Sequence, residues 1–315
     1  PVAHSFPTRR SSDLLALAVA ACGGEREPAS SQEEPAGSPG EAEGSRMDPG
    51  DEPGDATAGR PAAAARAAFL PPPAPDALPS AGDAVWAARP ASAVRPASAV
   101  RPGEDAAGWV YGRAEVESVD GGDVVLADGL GRVPAAFVRP AAPAPARPRP
   151  GSPILAGRQK ERAVLGRVHS LPGDRIAVLL PGDGAVPVRA TFGRDEVEVP
   201  DRETPRGGAP VVVRDGDRVT HGTLVFRGRE RAWVIESETR RIVAPPARAV
   251  RPIDLYRVHG PGAVVWIAPA GAGPEMSRAA VQRHTHAGLY YEVAVGGGRA
   301  APVAYHRVAA ARPDR

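Results

Sequence analysis

From Gly82 onward the apolar positions fall in short β-branched runs, such as Val124-Val125-Leu126 and Pro210-Val211-Val212-Val213, each closed by Gly, Pro or Asp-Gly. Runs of this length with that punctuation predict strands and hairpins and leave no helical period. The first segment reads as Asp83-Ala84-Val85-Trp86-Ala87, then Trp109-Val110-Tyr111-Gly112-Arg113-Ala114-Glu115-Val116. Val124-Val125-Leu126-Ala127-Asp128-Gly129 follows, and Arg132-Val133-Pro134 runs on to Val138-Arg139-Pro140. A later segment repeats the order through Val219-Thr220-His221-Gly222-Thr223-Leu224-Val225-Phe226, Ala232-Trp233-Val234-Ile235 and Val250-Arg251-Pro252.

A long period underlies the runs. Gly112, Gly166 and Gly222 are spaced 54 and 56 apart, and the pairs Arg139-Pro140 and Arg251-Pro252 lie 112 apart, twice 56. A further step of 56 from Gly222 reaches Arg278, so the unit occurs four times and the last copy lacks the glycine. Self-similarity at this period marks a repeat architecture. Units of about 50 residues with four or five strands are too short for a sandwich, and a small, strongly bent barrel removes their edges. The glycine in strand two is expected to mark the bend. The fold class is therefore all-β, with four tandem small barrels at residues 82–140, 152–200, 209–252 and 262–310.

Residues 23–81 have no hydrophobic period and read as a disordered tether, acidic first and then Pro/Ala-rich, with Pro71-Pro72-Pro73 locally extended. Arg89-Pro90-Ala91-Ser92-Ala93-Val94 is repeated perfectly at residues 95–100. It reads as a slip within a loop, and no function is assigned to it.

Composition sharpens the picture. The chain has 315 residues, 36 of them Gly and 37 Pro, with aromatics at 4%. Small units joined by linkers fit this better than one large enzyme core. Lys160 is the only lysine among 39 basic residues and asparagine is absent. Joint loss of residues with A-rich codons points to a GC-rich genome, so abundant arginine does not by itself indicate phosphate binding. Charge is segregated: residues 24–59 carry ten acidic groups against Arg26 and Arg46, a net of −8. Residues 60–315 carry 35 basic against 26 acidic, a net of +9. A specific nucleic-acid partner is not expected.

The chain starts without Met, and residues 4–14 resemble a translated sequencing adapter, which excludes them from further reasoning. Leu15-Ala16-Leu17-Ala18-Val19-Ala20-Ala21 is an apolar run too short to span a bilayer. It ends in Val19-Ala20-Ala21-Cys22-Gly23, which is similar to the lipobox of bacterial lipoproteins. That resemblance implies acylation of Cys22, the sole cysteine, and a cell-envelope location on the periplasmic face of the outer membrane. With one cysteine there is no internal disulfide. The Val-Trp-Ala strand, the Trp-x-Tyr-Gly-Arg strand, the Val-rich strand ending in Asp-Gly and the closing Val-Arg-Pro together resemble Tudor and Agenet domains, members of the SH3-like barrel group, over residues 82–308.

The resemblance implies an aromatic cage at a barrel rim that attracts a cation. Candidate rings in the first unit are Trp86, Trp109 and Tyr111, with Asp128 nearby, and in the fourth Trp266, Tyr290, Tyr291 and Tyr305. Core packing explains the same residues, since a 50-residue unit must fill its interior with something large. The uneven distribution favours a surface role, because the second unit holds only Phe192, and Tyr111 is expected to be an exposed anchor. His284 and His286 would share a strand face, with His306 as a third histidine, but no further ligand completes a metal site. Hydrolase, nucleotide, metalloprotease and dinucleotide motifs are missing, so no catalytic residue, metal or cofactor is expected. The reading is a non-enzymatic, lipid-anchored binding or scaffold protein whose partner is an envelope protein or peptidoglycan. The alternative is a cytosolic Tudor-like module for nucleic acid or modified basic peptides.

Overall fold

The computed structural model describes residues 77–91, 108–141, 148–271, 273 and 275–311. Cys22, the adapter-like segment, nearly all of the tether and most of the short repeat lie outside the described residues.

The described residues form twenty strands in four antiparallel five-stranded sheets. Module I comprises β1 (Ala84–Pro90), β2 (Trp109–Asp120), β3 (Asp123–Leu126), β4 (Gly131–Pro134) and β5 (Val138–Pro140). Module II has β6 (Pro153–Ala156), β7 (Val164–Ser170), β8 (Arg175–Pro181), β9 (Pro187–Gly193) and β10 (Val197–Glu198). Module III has β11 (Pro210–Asp215), β12 (Arg218–Arg227), β13 (Ala232–Glu236), β14 (Ile242–Val243) and β15 (Val250–Pro252). Module IV has β16 (Val264–Ile267), β17 (Ser277–Thr285), β18 (Tyr290–Ala294), β19 (Ala301–Ala304) and β20 (Val308–Ala310). Each sheet has the same order, fourth-third-second-first-fifth, and a 3-10 turn introduces each fifth strand.

Local chemistry explains the hairpins. Gly121 and Gly122, at φ 59° and 92°, close β2 onto β3 as the two left-handed residues a type I′ turn requires. In β3, Val124 and Leu126 face the core while Asp123 and Val125 are only half-buried, the alternation of a one-sided sheet.

Every second strand carries a bulge, between Val116 and Ser118, Val168 and Ser170, Leu224 and Phe226, and Val281 and Arg283. These bulges bend their strands locally, and Gly166 and Gly222 each lie two residues before one. The bulges also correct the register of the repeat. The position two residues before each bulge is Ala114, Gly166, Gly222 and Ala279, small in every copy. It pairs with Val85, Ile154, Val211 and Val265 respectively. A Cβ on Gly166 would meet Val178 Cγ1 at 2.6 Å and Leu179 O at 2.7 Å; one on Gly222 would meet Ile235 O at 2.7 Å. Gly112 lies two residues out of register and is small for another reason: its Cβ would sit 2.4 Å from Glu161 O of module II.

The four sheets are arranged in a ring, like a four-bladed propeller. Contacts trace a circuit I–II–IV–III that does not follow chain order. Module I meets II through Ala163 N donating to Tyr111 O at 2.8 Å, and III through Trp109 N donating to Arg240 O at 2.7 Å. Module IV meets III through Met276 N donating to Val219 O at 2.7 Å, and II through Tyr305 Oη donating to Gly166 O at 2.9 Å.

The apolar interior is shared accordingly. One cluster joins module I to Leu155 of module II and to Val225, Trp233, Ile235 and Ile242 of module III. A second joins module IV to Val219 and packs against Leu165 and Leu179. Modules II and III also keep core clusters of their own, around Ile154, Ile176 and Phe192 and around Val211, Leu224 and Val234.

Candidate functional site

The aromatic residues singled out by the sequence do not form an exposed cage. Trp86, Trp109, Tyr111, Tyr290, Tyr291 and Tyr305 are at most 4% exposed. Their surplus in modules I and IV follows from the ring: these side chains fill the junctions with the other modules. Trp86 stacks on Tyr111 at 6.2 Å and 6° and lies against Gly157 of module II. The Tyr111 ring packs on Gly207 and Gly208, where any Cβ would come within 2.7 Å of it. Tyr290 Oη accepts from Gly182 N at 2.7 Å, and Tyr291 Oη accepts from His259 N at 3.1 Å.

Cations do sit on these rings, and they are the chain's own. Arg139 lies over Trp86 at 5.9 Å and Arg167 over Tyr305 at 4.4 Å, and half-buried Trp266 carries Arg278 at 5.2 Å. Burial pushes the Tyr111 hydroxyl up to about 12, with Arg139 opposing and Glu198 reinforcing the shift. Asp128 is exposed and pairs with Lys160 Nζ at 3.2 Å, away from any ring stack.

His284 and His286 do not share a strand face. His284 is in β17, whereas His286 lies beyond its end at φ 51° in a turn. His306 is in the 3-10 turn of module IV beside His221. No group of three or more His, Cys, Asp or Glu suited to a metal occurs among the described residues.

The ring's centre holds a cavity of about 380 Å³ to which all four modules contribute. Its apolar wall is Leu155, Leu165 and Leu180 of module II with Ile235 of module III, and Trp109 and Tyr111 close it from module I. Its polar wall is Arg162, Arg240 and Arg307 with His221, Ser237 and His306. No aspartate or glutamate lines it among the described residues. A volume of this size falls in the usual range for small-molecule sites.

Local structure fixes the polar wall. Arg307 donates to Glu238 at 2.8 Å and to Ala268 O at 3.0 Å, binding module IV to III. Arg240 holds a left-handed φ of 54° in the turn after β13. The turn is closed by Arg240 N donating to Glu236 O at 3.0 Å. Partial burial and the neighbouring Arg240 and Arg307 hold the Arg162 guanidinium below its ordinary value, against the pull of Glu238.

His221 is buried, with Nε2 bonded to His306 O at 3.0 Å and Nδ1 to Ser237 Oγ. A carbonyl can only accept, so the proton is on Nε2 and Ser237 donates to Nδ1; the ring is neutral. Burial first and Arg307 second push His221 down to about 4. His306 is driven well down by burial and then by His221, Arg307 and Arg162. Near neutral pH the cavity's positive charge is therefore arginine alone.

None of Arg162, Arg240, Arg307 or Ser237 was singled out by sequence reasoning. They sit in turns and loops of three modules, separated by 55 or more positions wherever they cross between modules II, III and IV, and no spacing marks them. A second, smaller hollow of about 280 Å³ is lined by residues of modules III and IV, Trp266, Arg251 and Arg257 among them.

A scan against protein-family models and a search of the curated proteins both return no match.

Proposed function

We propose that this chain is a non-enzymatic binding protein of the bacterial cell envelope, held by lipid on Cys22 and built from four SH3-like, Tudor-like modules. The observation that carries the reading is the central cavity, which exists only where the four modules meet. The repeated strand order, the bulged second strand and the 3-10 turn before the fifth strand support the SH3-like identity of each module. The lipobox-like Val19-Ala20-Ala21-Cys22 and the acidic segment after it support the anchor. The partner is an envelope component, protein or peptidoglycan, that presents a small group to the cavity.

Modified basic peptides are a poorer ligand class, because Arg139, Arg167 and Arg278 already occupy the ring faces and the cavity is itself cationic. Two experiments test the proposal. Replacing Cys22 with Ala in the full-length protein should abolish incorporation of labelled fatty acid; persistent label would remove the anchor. Envelope extract passed over immobilised wild-type protein should yield material that Thr223→Trp, which fills the cavity, fails to retain. Equal retention by both proteins would overturn the cavity as the binding site.

A further inference from the structure

We infer that the central cavity takes an amphipathic oxyanion: a carboxylate or phosphate head on a short apolar body. The inference rests on reading the chain as a cavity-binding protein and adds the ligand's chemistry to it.

Charge supplies the first argument. Arg162, Arg240 and Arg307 line one hollow that is partly open to solvent, with no carboxylate among the lining residues. Arg307 is paired with Glu238, whose charge also acts on Arg162, but neither the Arg162 nor the Arg240 side chain makes an ion pair or hydrogen bond among the described residues. Gathering like charges in one hollow is unfavourable unless an anion completes the set, and guanidinium is the group best matched to carboxylate and phosphate oxygens.

Unmet hydrogen bonding supplies the second. Trp109 Nε1 and His306 Nδ1 are buried without a partner, and both residues line this cavity. An indole N–H can only donate, so an acceptor is what would satisfy it once a small side-chain shift brought it to the cavity.

Shape and polarity supply the third. The wall of Leu155, Leu165, Leu180 and Ile235 cannot bind an inorganic anion, but it gains from covering an apolar chain. A head matching the arginines and a body matching the leucines must therefore belong to one molecule.

The test uses full-length protein, calorimetry and tryptophan fluorescence with four probes: octanoate, octyl phosphate, 1-octanol and inorganic phosphate. The expected result is that octanoate or octyl phosphate binds at least about tenfold tighter than octanol and than phosphate, and the better of the two identifies the head. Octanol binding as tightly as both amphiphiles, inorganic phosphate matching them, or no binding by any probe would each overturn the inference.

The Arg162→Gln/Arg240→Gln double variant should lose about tenfold or more for the preferred amphiphile, with octanol binding and melting temperature unchanged. Arg162 and Arg240 are exposed residues whose side chains make no ion pair or hydrogen bond among the described residues, so little change in melting is expected. Arg283→Gln, in the exposed pair with Glu292, should leave affinity unchanged. Unchanged affinity in the double variant would overturn the role of the arginines. If all four probes fail while Thr223→Trp still abolishes retention of envelope material, the cavity reading stands and only its ligand chemistry falls.

Discussion

Arg139 binds Tyr111 from within: its Nε donates to Tyr111 Oη at 2.9 Å while Nη1 reaches Glu198 of module II at 2.7 Å. The same guanidinium donates twice to Gly207 O, at 3.0 and 2.8 Å, so one largely buried cation joins modules I and II and the segment leading to III.

Removing one member of such a buried pair leaves the other uncompensated. Glu198→Gln is expected to cost about 3–5 kcal/mol in urea unfolding followed by tryptophan fluorescence. Tyr111→Ala should cost a similar amount, about 3–5 kcal/mol for a large buried ring, where an exposed anchor would cost almost nothing. A Tyr111→Ala protein with unchanged melting would show that the ring is not core.

The small position before each bulge makes a second, sharper prediction. Gly222→Ala adds a Cβ at 2.4 Å from Val234 Cγ1 and should cost about 1–3 kcal/mol by overpacking. Ala279→Gly, at the equivalent place in module IV, should cost only about 0.5–1 kcal/mol through backbone entropy. Comparison of the two midpoints in one denaturant series checks the register, and equal costs would contradict it.

Tyr290→Phe and Tyr305→Phe remove hydroxyls that bond the backbone of module II at Gly182 and Gly166. For Tyr305 the stranded Gly166 carbonyl is buried, and a loss of about 1–3 kcal/mol is expected. The Tyr290 junction is more open, and about 0.5–1.5 kcal/mol is expected there. Both should shift one cooperative transition without splitting it, as differential scanning calorimetry would register.

Acid should weaken the fold through His221. Its folded-state value of about 4 lies below the ordinary value of about 6.5, so between those limits the unfolded chain holds more protons than the folded one. Stability from this group is complete above about pH 6.5, falls as pH drops toward 4 and levels off below it, by at most about 3 kcal/mol. His306 acts with the same sign, and Arg307, Arg162 and Glu238 are the charges that act on the pair. His221→Gln should flatten the dependence of urea midpoint on pH over that window; an unaltered slope would assign acid sensitivity elsewhere.

The four-sheet, all-β character was legible because it is written locally. Val124 and Leu126 alternate, Gly121-Gly122 makes its own turn, and Arg139-Pro140 and Arg251-Pro252 do occupy matched positions, opposite Trp86 and Val85 in one module and Val212 and Val211 in another. The repeat glycine misled because Gly112 is small to admit a carbonyl from another module, a demand that leaves no trace in its own strand. Exposure of Trp109 and Tyr111 was misjudged for the same reason. Alternation shows which residues share a face but not that a neighbouring module will cover it. The arginines of the cavity come from turns whose proximity is created only by ring closure.

Arg167 shows what that closure means in time. Buried in module II, it donates to Gly151 O nearby, and otherwise to Leu255 O and Gly288 O, partners 88 and 121 positions further along the chain. Until those carbonyls have been synthesised and docked, the guanidinium has Gly151 O and water as its acceptors. Closing such distant contacts is slow, and the first half of the body must wait, solvated and incomplete, for the second. Ring closure is therefore expected to be a late step, leaving the nascent chain for an interval with sheet edges and core surface not yet covered.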